Sequence, residues 1–111
     1  MTAEVAVFGT LRFPPERMVD VRPGLKMLVD ETYANDGCLA YDVGEDPFDP
    51  GLVRFSELWP DRASLDRHLQ APHLVPWRAT ARECGLIERK FTSYDVSNPV
   101  EVWPPQQGSA N

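Results

Sequence analysis

What most limits the fold of this chain is a change of hydrophobic period, from two to three or four and back, that occurs twice within 111 residues. From Ala3 to Phe13 the period is two: Val5, Val7, Leu11 and Phe13 share one face, and Ala6, Phe8 and Thr10 share the other. Both faces carry apolar residues, so this strand is expected to be covered on both sides. From Glu16 to Tyr33, Met18, Val21, Leu25, Leu28, Val29 and Thr32 form one helical stripe. Pro15 suits a first helical turn, while Pro23-Gly24 inside the stripe predicts a kink or two short pieces. Gly37 closes the segment. Cys38–Glu45 and Leu52–Trp59 return to the strand period. The turn formers Asp46-Pro47-Phe48-Asp49-Pro50-Gly51 join them, which predicts a hairpin with a long loop.

Asp61 is placed to cap a helix with Leu65, His68 and Leu69 on one face, ended by Ala71-Pro72. A second helical piece follows, with Pro76 in its first turn, a stripe of Leu74, Trp77, Ala81 and Cys84, and Gly85 as its stop. Leu86–Val96 reads as the last strand. The order strand, helix, strand, strand, helix, strand is the ferredoxin-like βαββαβ arrangement, an α+β fold whose antiparallel sheet has helices on one face. Residues 1–97 make this domain. Residues 98–111 are proline-rich and read as an extended or disordered tail with Trp103 as its only large apolar anchor. A sheet bare on one face predicts a homodimer with two sheets face to face, Trp103 either clasping the partner or lying in a disordered end.

Eleven basic residues against 17 acidic ones leave a net charge of −6 with no basic stripe, so nucleic acid is repelled. No apolar run approaches the roughly 20 residues that span a bilayer, and Met1-Thr2-Ala3-Glu4 lacks the basic start of a signal peptide, so the expected compartment is the cytoplasm, with no membrane contact. Cys38 and Cys84 stand far apart without a second ligand set and read as core thiols; neither a metal site nor a disulfide framework is signalled. Phosphate-cradling glycine patterns, H-E-x-x-H and a hydrolase elbow are all missing.

Three features remain. Phe55, Glu57 and Trp59 point to one face of a strand, and a carboxylate buried between aromatics either costs several kcal/mol or has its pKa raised. The alternative is a partner for Glu57: Arg54, Arg89 or a backbone amide. Trp59 itself is a core or a site residue. His68 faces inward, as a satisfied core residue or as a proton acceptor over a pocket. His73, at the joint between two helical pieces, is a cap, a surface residue, or a neighbour of helix amides that receive an anion.

Taken together in order and spacing, Asp36-Gly37-Cys38-Leu39-Ala40-Tyr41, Phe55-x-Glu57-x-Trp59, Ser64-Leu65-x-x-His68-Leu69 and Ala71-Pro72-His73 resemble the antibiotic biosynthesis monooxygenase domain, which includes small quinol monooxygenases of the dimeric α+β barrel superfamily. The resemblance runs from Glu4 to Asp95. It implies a homodimer that oxidises a quinol or polycyclic phenol with molecular oxygen, without metal, haem, flavin or other cofactor. It implies His68 as proton acceptor, Glu57 as its orienter or as a hydrogen-bond partner of the substrate, and Trp59 with Phe55 as a flat wall. It implies His73, Tyr41 and Trp77 as second choices for substrate contacts. Two positions depart from the family. Anthrone-oxidising members pair the Trp with a strand Asn, whereas the residue four before Trp59 is Phe55. Where the haem-degrading branch carries its axial His, Arg78 stands. Fold likeness leaves two other functions open: a non-catalytic dimer that binds a small apolar metabolite, and an isomerase or lyase using the same base.

Overall fold

In the computed structural model, which describes residues 2–103, strand β1 spans Val5–Arg12 and buries Val5, Val7 and Leu11 on one face. It runs antiparallel to β3 (Leu52–Trp59) and to β4 (Glu88–Asp95), and β2 (Ala40–Glu45) pairs with β3, so the sheet order is β2-β3-β1-β4. Val53, Phe55, Glu57 and Trp59 alternate into the interior along β3, as period two requires. Helices α1 (Met18–Asn35), α2 (Arg62–Leu69) and α3 (Leu74–Glu83) pack on that side, and Val21, Leu25, Leu65 and Leu74 join the strand residues in one core. Asp61 caps α2, its side chain accepting from the Ser64 backbone N–H at 2.8 Å.

The structure corrects three expectations. Of the two forms expected around Pro23-Gly24, two short pieces do not occur: α1 is one helix through them, after a single 3₁₀ turn over Pro15–Arg17. Pro23 lies near the helix start on the exposed side, and the carbonyl it leaves without a donor belongs to Val19, itself exposed. Gly24 has a packing role, since a Cβ there would stand 3.2 Å from the Trp77 and Thr80 side chains of α3. Leu69 does not share the burial of Leu65 and His68; it is half exposed because it edges the mouth of a pocket. Within one chain the helices cover β1 on one side, and on the other Phe8 is 54% exposed with Leu58 and Tyr94 beside it. Finally, Trp103 is not the only large apolar side chain of the tail: Val100 and Val102 precede it, and all three are exposed.

Residues 98–103 form neither helix nor strand, and 104–111 of the expected tail lie outside the described residues. Cys84 is buried, Cys38 is half-buried, and both are free thiols. Among the described residues no helix is long and apolar enough to cross a membrane.

Candidate active site

The C-terminus of α1 and the last turn of α2 meet beneath the sheet's β2–β3 half. Helix α1 ends at Asp36, whose backbone N–H still bonds the Thr32 carbonyl at 3.0 Å, and Gly37 then takes a φ of +73°, a conformation that side chains resist. This stop turns the Asp36 carboxylate inward. His68, three residues after Leu65 on the buried face of α2, places Nδ1 at 2.7 Å from Asp36 Oδ2, with side-chain exposures of 4% and 7%. A carboxylate at that distance fixes Nδ1 as the N–H donor and leaves Nε2 with its lone pair. Nε2 has no hydrogen-bond partner among the described residues, and His68 lines a pocket of about 760 Å³. That volume suits a small aromatic ligand.

His73 sits on the far side of the same carboxylate. Its Nε2 lies 3.3 Å from Asp36 Oδ2 and 3.3 Å from Thr32 Oγ1, so it belongs to the buried network behind His68 and not to the pocket wall. It precedes α3 without capping it through its side chain. Asp36, His68 and His73 each offer one ligand atom within 4.8 Å of the others, a two-His, one-carboxylate set that can hold a divalent ion as well as hydrogen bonds.

Glu57 is buried beside them on β3. Its partner is neither an arginine nor a backbone amide: Oε1 accepts from the Trp59 indole Nε1 at 2.9 Å. Burial pushes its pKa up to about 7 against that hydrogen bond, so the group titrates near neutrality. Burial also lowers the pKa of His68, opposed by the Asp36 hydrogen bond and charge and assisted by the nearby His73 and Arg78. The imidazole is therefore neutral, and able to accept a proton, at neutral pH. The Tyr41 phenol is pushed far up by burial, which removes it as a base.

Among the expected site residues, His68, Glu57, Phe55, Tyr41 and Trp77 come together on the pocket wall. Trp59 does not. It is fully buried and packs its ring against His68 at 4.8 Å between centroids, supporting the imidazole from behind where a flat wall facing the substrate was expected. Asp36 was read only as part of a family-like stretch. The available signal was an acid immediately before a helix-ending Gly, but its partner lies 32 positions away. Nothing in the scattered charge pattern brought Arg78, Arg82 and Arg89 together on one wall; Arg89 was a candidate only as a partner of Glu57.

These features define a class: a ferredoxin-like α+β domain with a carboxylate-held histidine at an apolar pocket. The model of the family described as antibiotic biosynthesis monooxygenase matches residues 4–80, and the chain belongs to that family. Rv0793 of Mycobacterium tuberculosis, provisionally named as a monooxygenase, is 35% identical over 83 residues, covering 75% of this chain and 81% of the relative. Its solved structure superimposes with a TM-score of 0.76 at 27% identity, over 89% of this chain and all of the other. A Deinococcus radiodurans structure, provisionally named as an antibiotic biosynthesis monooxygenase, gives a TM-score of 0.82 at 26% identity, over 88% of this chain and 97% of that one.

Proposed function

We propose that this protein is a cofactor-independent monooxygenase that oxidises a quinol or polycyclic phenol with molecular oxygen, acting as a homodimer with His68 as its base. The observation that carries this reading is the buried His68, held at Nδ1 by Asp36 at 2.7 Å and left with Nε2 as the nitrogen available to the pocket. A phenol hydroxyl that meets Nε2 gives up its proton there, and Asp36 stabilises the imidazolium from the other side of the ring. Asp36, rather than Glu57, is then the orienter. Glu57, protonated at its raised pKa, donates a hydrogen bond to the substrate oxygen as charge develops on it. Phe55, Tyr41 and Trp77 hold the ring and keep water out.

The phenolate so formed is electron-rich enough to pass an electron to oxygen, and the two radicals combine at the activated ring carbon. For a polycyclic phenol, the CH2 carbon of its keto form becomes C=O and its two hydrogens leave with the second oxygen atom as water. A quinol gives hydroxyquinone and water. Both reactions balance without an external reductant.

The test is oxygen uptake with reduced quinones and anthrone-type phenols. The expected result is consumption of oxygen that falls by roughly 10²–10⁴ in His68→Gln and in Asp36→Asn, with a rate unchanged by exhaustive dialysis against a chelator. A rate lost on chelation and restored by Fe(II) assigns Asp36, His68 and His73 to a metal instead. Uptake indifferent to His68→Gln removes the base. Ligand-induced thermal stabilisation with no oxygen consumed makes the protein a binder, and turnover under strict anaerobiosis makes it an isomerase or lyase.

A further inference from the structure

Five arginines of this chain are each paired with a carboxylate: Arg12 with Asp49, Arg17 with Asp20, Arg22 with Glu45, Arg54 with Asp46 and Arg62 with Asp95. Arg67, which donates to Ser64 Oγ, and the three pocket arginines lack such a pair among the described residues. Arg78 gives an N–H to the Leu69 carbonyl at 2.9 Å, while Arg82 and Arg89 have no acidic partner among the described residues, although the chain carries 17 acids against 11 bases. Their placement is shared. Arg78 and Arg82 are one turn apart on α3 and so on one face. Arg89 stands opposite Leu11 in the β1–β4 register, which puts it on the helix side of the sheet. All three are exposed and line the same pocket whose inner wall holds His68 and Glu57. The wall between them is apolar, with Phe55, Leu65 and Trp77.

We propose that Arg82 and Arg89, with Arg78 beside them, form a cationic rim that binds a carboxylate on the substrate, so that the pocket takes an aromatic hydroxy acid. This rests on the reading of His68 as the base of a phenol, and it names the substrate class of that site. The ring lies against the apolar wall, the hydroxyl meets His68, and the carboxylate takes two-pronged hydrogen bonds from guanidinium groups that no internal acid neutralises. Glu57 is the one acidic side chain on the wall, and it lies at the inner end with the hydroxyl, away from the exposed arginines. The overall negative charge repels an anion, so recognition of one falls to this rim.

Anaerobic calorimetric titration with 6-hydroxy-2-naphthoate and with its methyl ester separates the carboxylate's share from that of the ring. The acid is expected to bind about tenfold tighter than the ester or better. In the double variant Arg82→Gln/Arg89→Gln that ratio is expected to fall to near one, and in Arg82→Lys/Arg89→Lys to be kept in part. Equal binding of acid and ester by the unaltered protein, or an undiminished preference in the glutamine variant, overturns the proposal. Oxygen uptake with substrates of both kinds then tells the two readings apart. A preference for the acid with no oxygen consumed from any phenol retains the rim and discards the oxidation; oxygen consumed with no preference for the acid does the reverse.

Discussion

Glu57 owes its chemistry to its surroundings, and two pH effects follow from its raised pKa of about 7. In the unfolded chain it loses its proton near the ordinary 4.5; in the folded protein it holds the proton up to about 7. The folded state therefore binds more protons between those values, and stability falls as pH rises through that window, by up to about 3 kcal/mol. Glu57→Gln is expected to flatten that slope in urea unfolding measured from pH 4.5 to 8. The proposed oxidation would carry the second effect. His68, its pKa lowered by burial, gains its accepting form on the acid side of 6.5, so kcat/KM is expected to rise there and to fall again near pH 7 as Glu57 ionises. The glutamine variant keeps the acid limb and loses the alkaline one; an alkaline limb that survives removes Glu57 from the substrate oxygen. The strand pattern exposed Glu57, because period two puts it between Phe55 and Trp59. It could not expose Asp36, since a polar residue at a helix end is ordinarily solvated and only the turn at Gly37 brings this one under α2.

Elements were legible wherever one face is buried, because burial imposes the period that sequence displays. β4 lacks that signal: every residue is exposed, so its pairing with β1 rests on backbone bonds and on a few cross-strand fits, one of which shapes the pocket. That fit is Gly9 with Phe91. The two are register partners, and the Phe91 ring lies across Gly9 so closely that a Cβ there would overlap it. Lying down, the ring packs edge-on against Phe55 at 5.1 Å between centroids and closes the β4 side of the pocket. Gly9→Ala is expected to lift the ring off β1. A cost of about 1–3 kcal/mol in thermal or urea unfolding is expected together with weaker binding of the ligand probes, whereas the same substitution at Gly44, where a Cβ meets nothing within 4 Å, leaves binding alone. Equal ligand affinity in Gly9→Ala and the unaltered protein would show that Phe91 does not shape the wall. Pro23 is the opposite lesson: propensity argued for a kink or for two pieces, but packing of Val21, Leu25 and Leu28 keeps α1 a single helix across it.

At the scale of the molecule, what needs explaining is the face of the sheet that no helix covers. It is two-toned. At one end Arg12 and Arg54 are neutralised by Asp49 and Asp46, leaving that region polar and content in water. At the other end Ala6 is buried by its register partners Leu58 and Tyr94, and Phe8 lies 6.1 Å from Tyr94 between ring centroids, so the exposed apolar side chains are contiguous. Val100, Val102 and Trp103 follow β4 and are likewise exposed. A second copy of the chain offers the same surface, so in the homodimer proposed above apolar would meet apolar around a twofold axis. Because that face is opposite the pocket, pairing there would leave both pockets open and the pocket arginines accessible. Sedimentation velocity is expected to show twice the chain mass for the unaltered protein and a single chain for Phe8→Lys/Leu58→Lys, which sets two cations of each copy against two of the other. Both positions are surface ones, so the variant should keep its circular dichroism and its ligand affinity while losing its partner. A double variant that still sediments as a dimer places the interface elsewhere, and a monomeric unaltered protein leaves the apolar end of the sheet without its occupant.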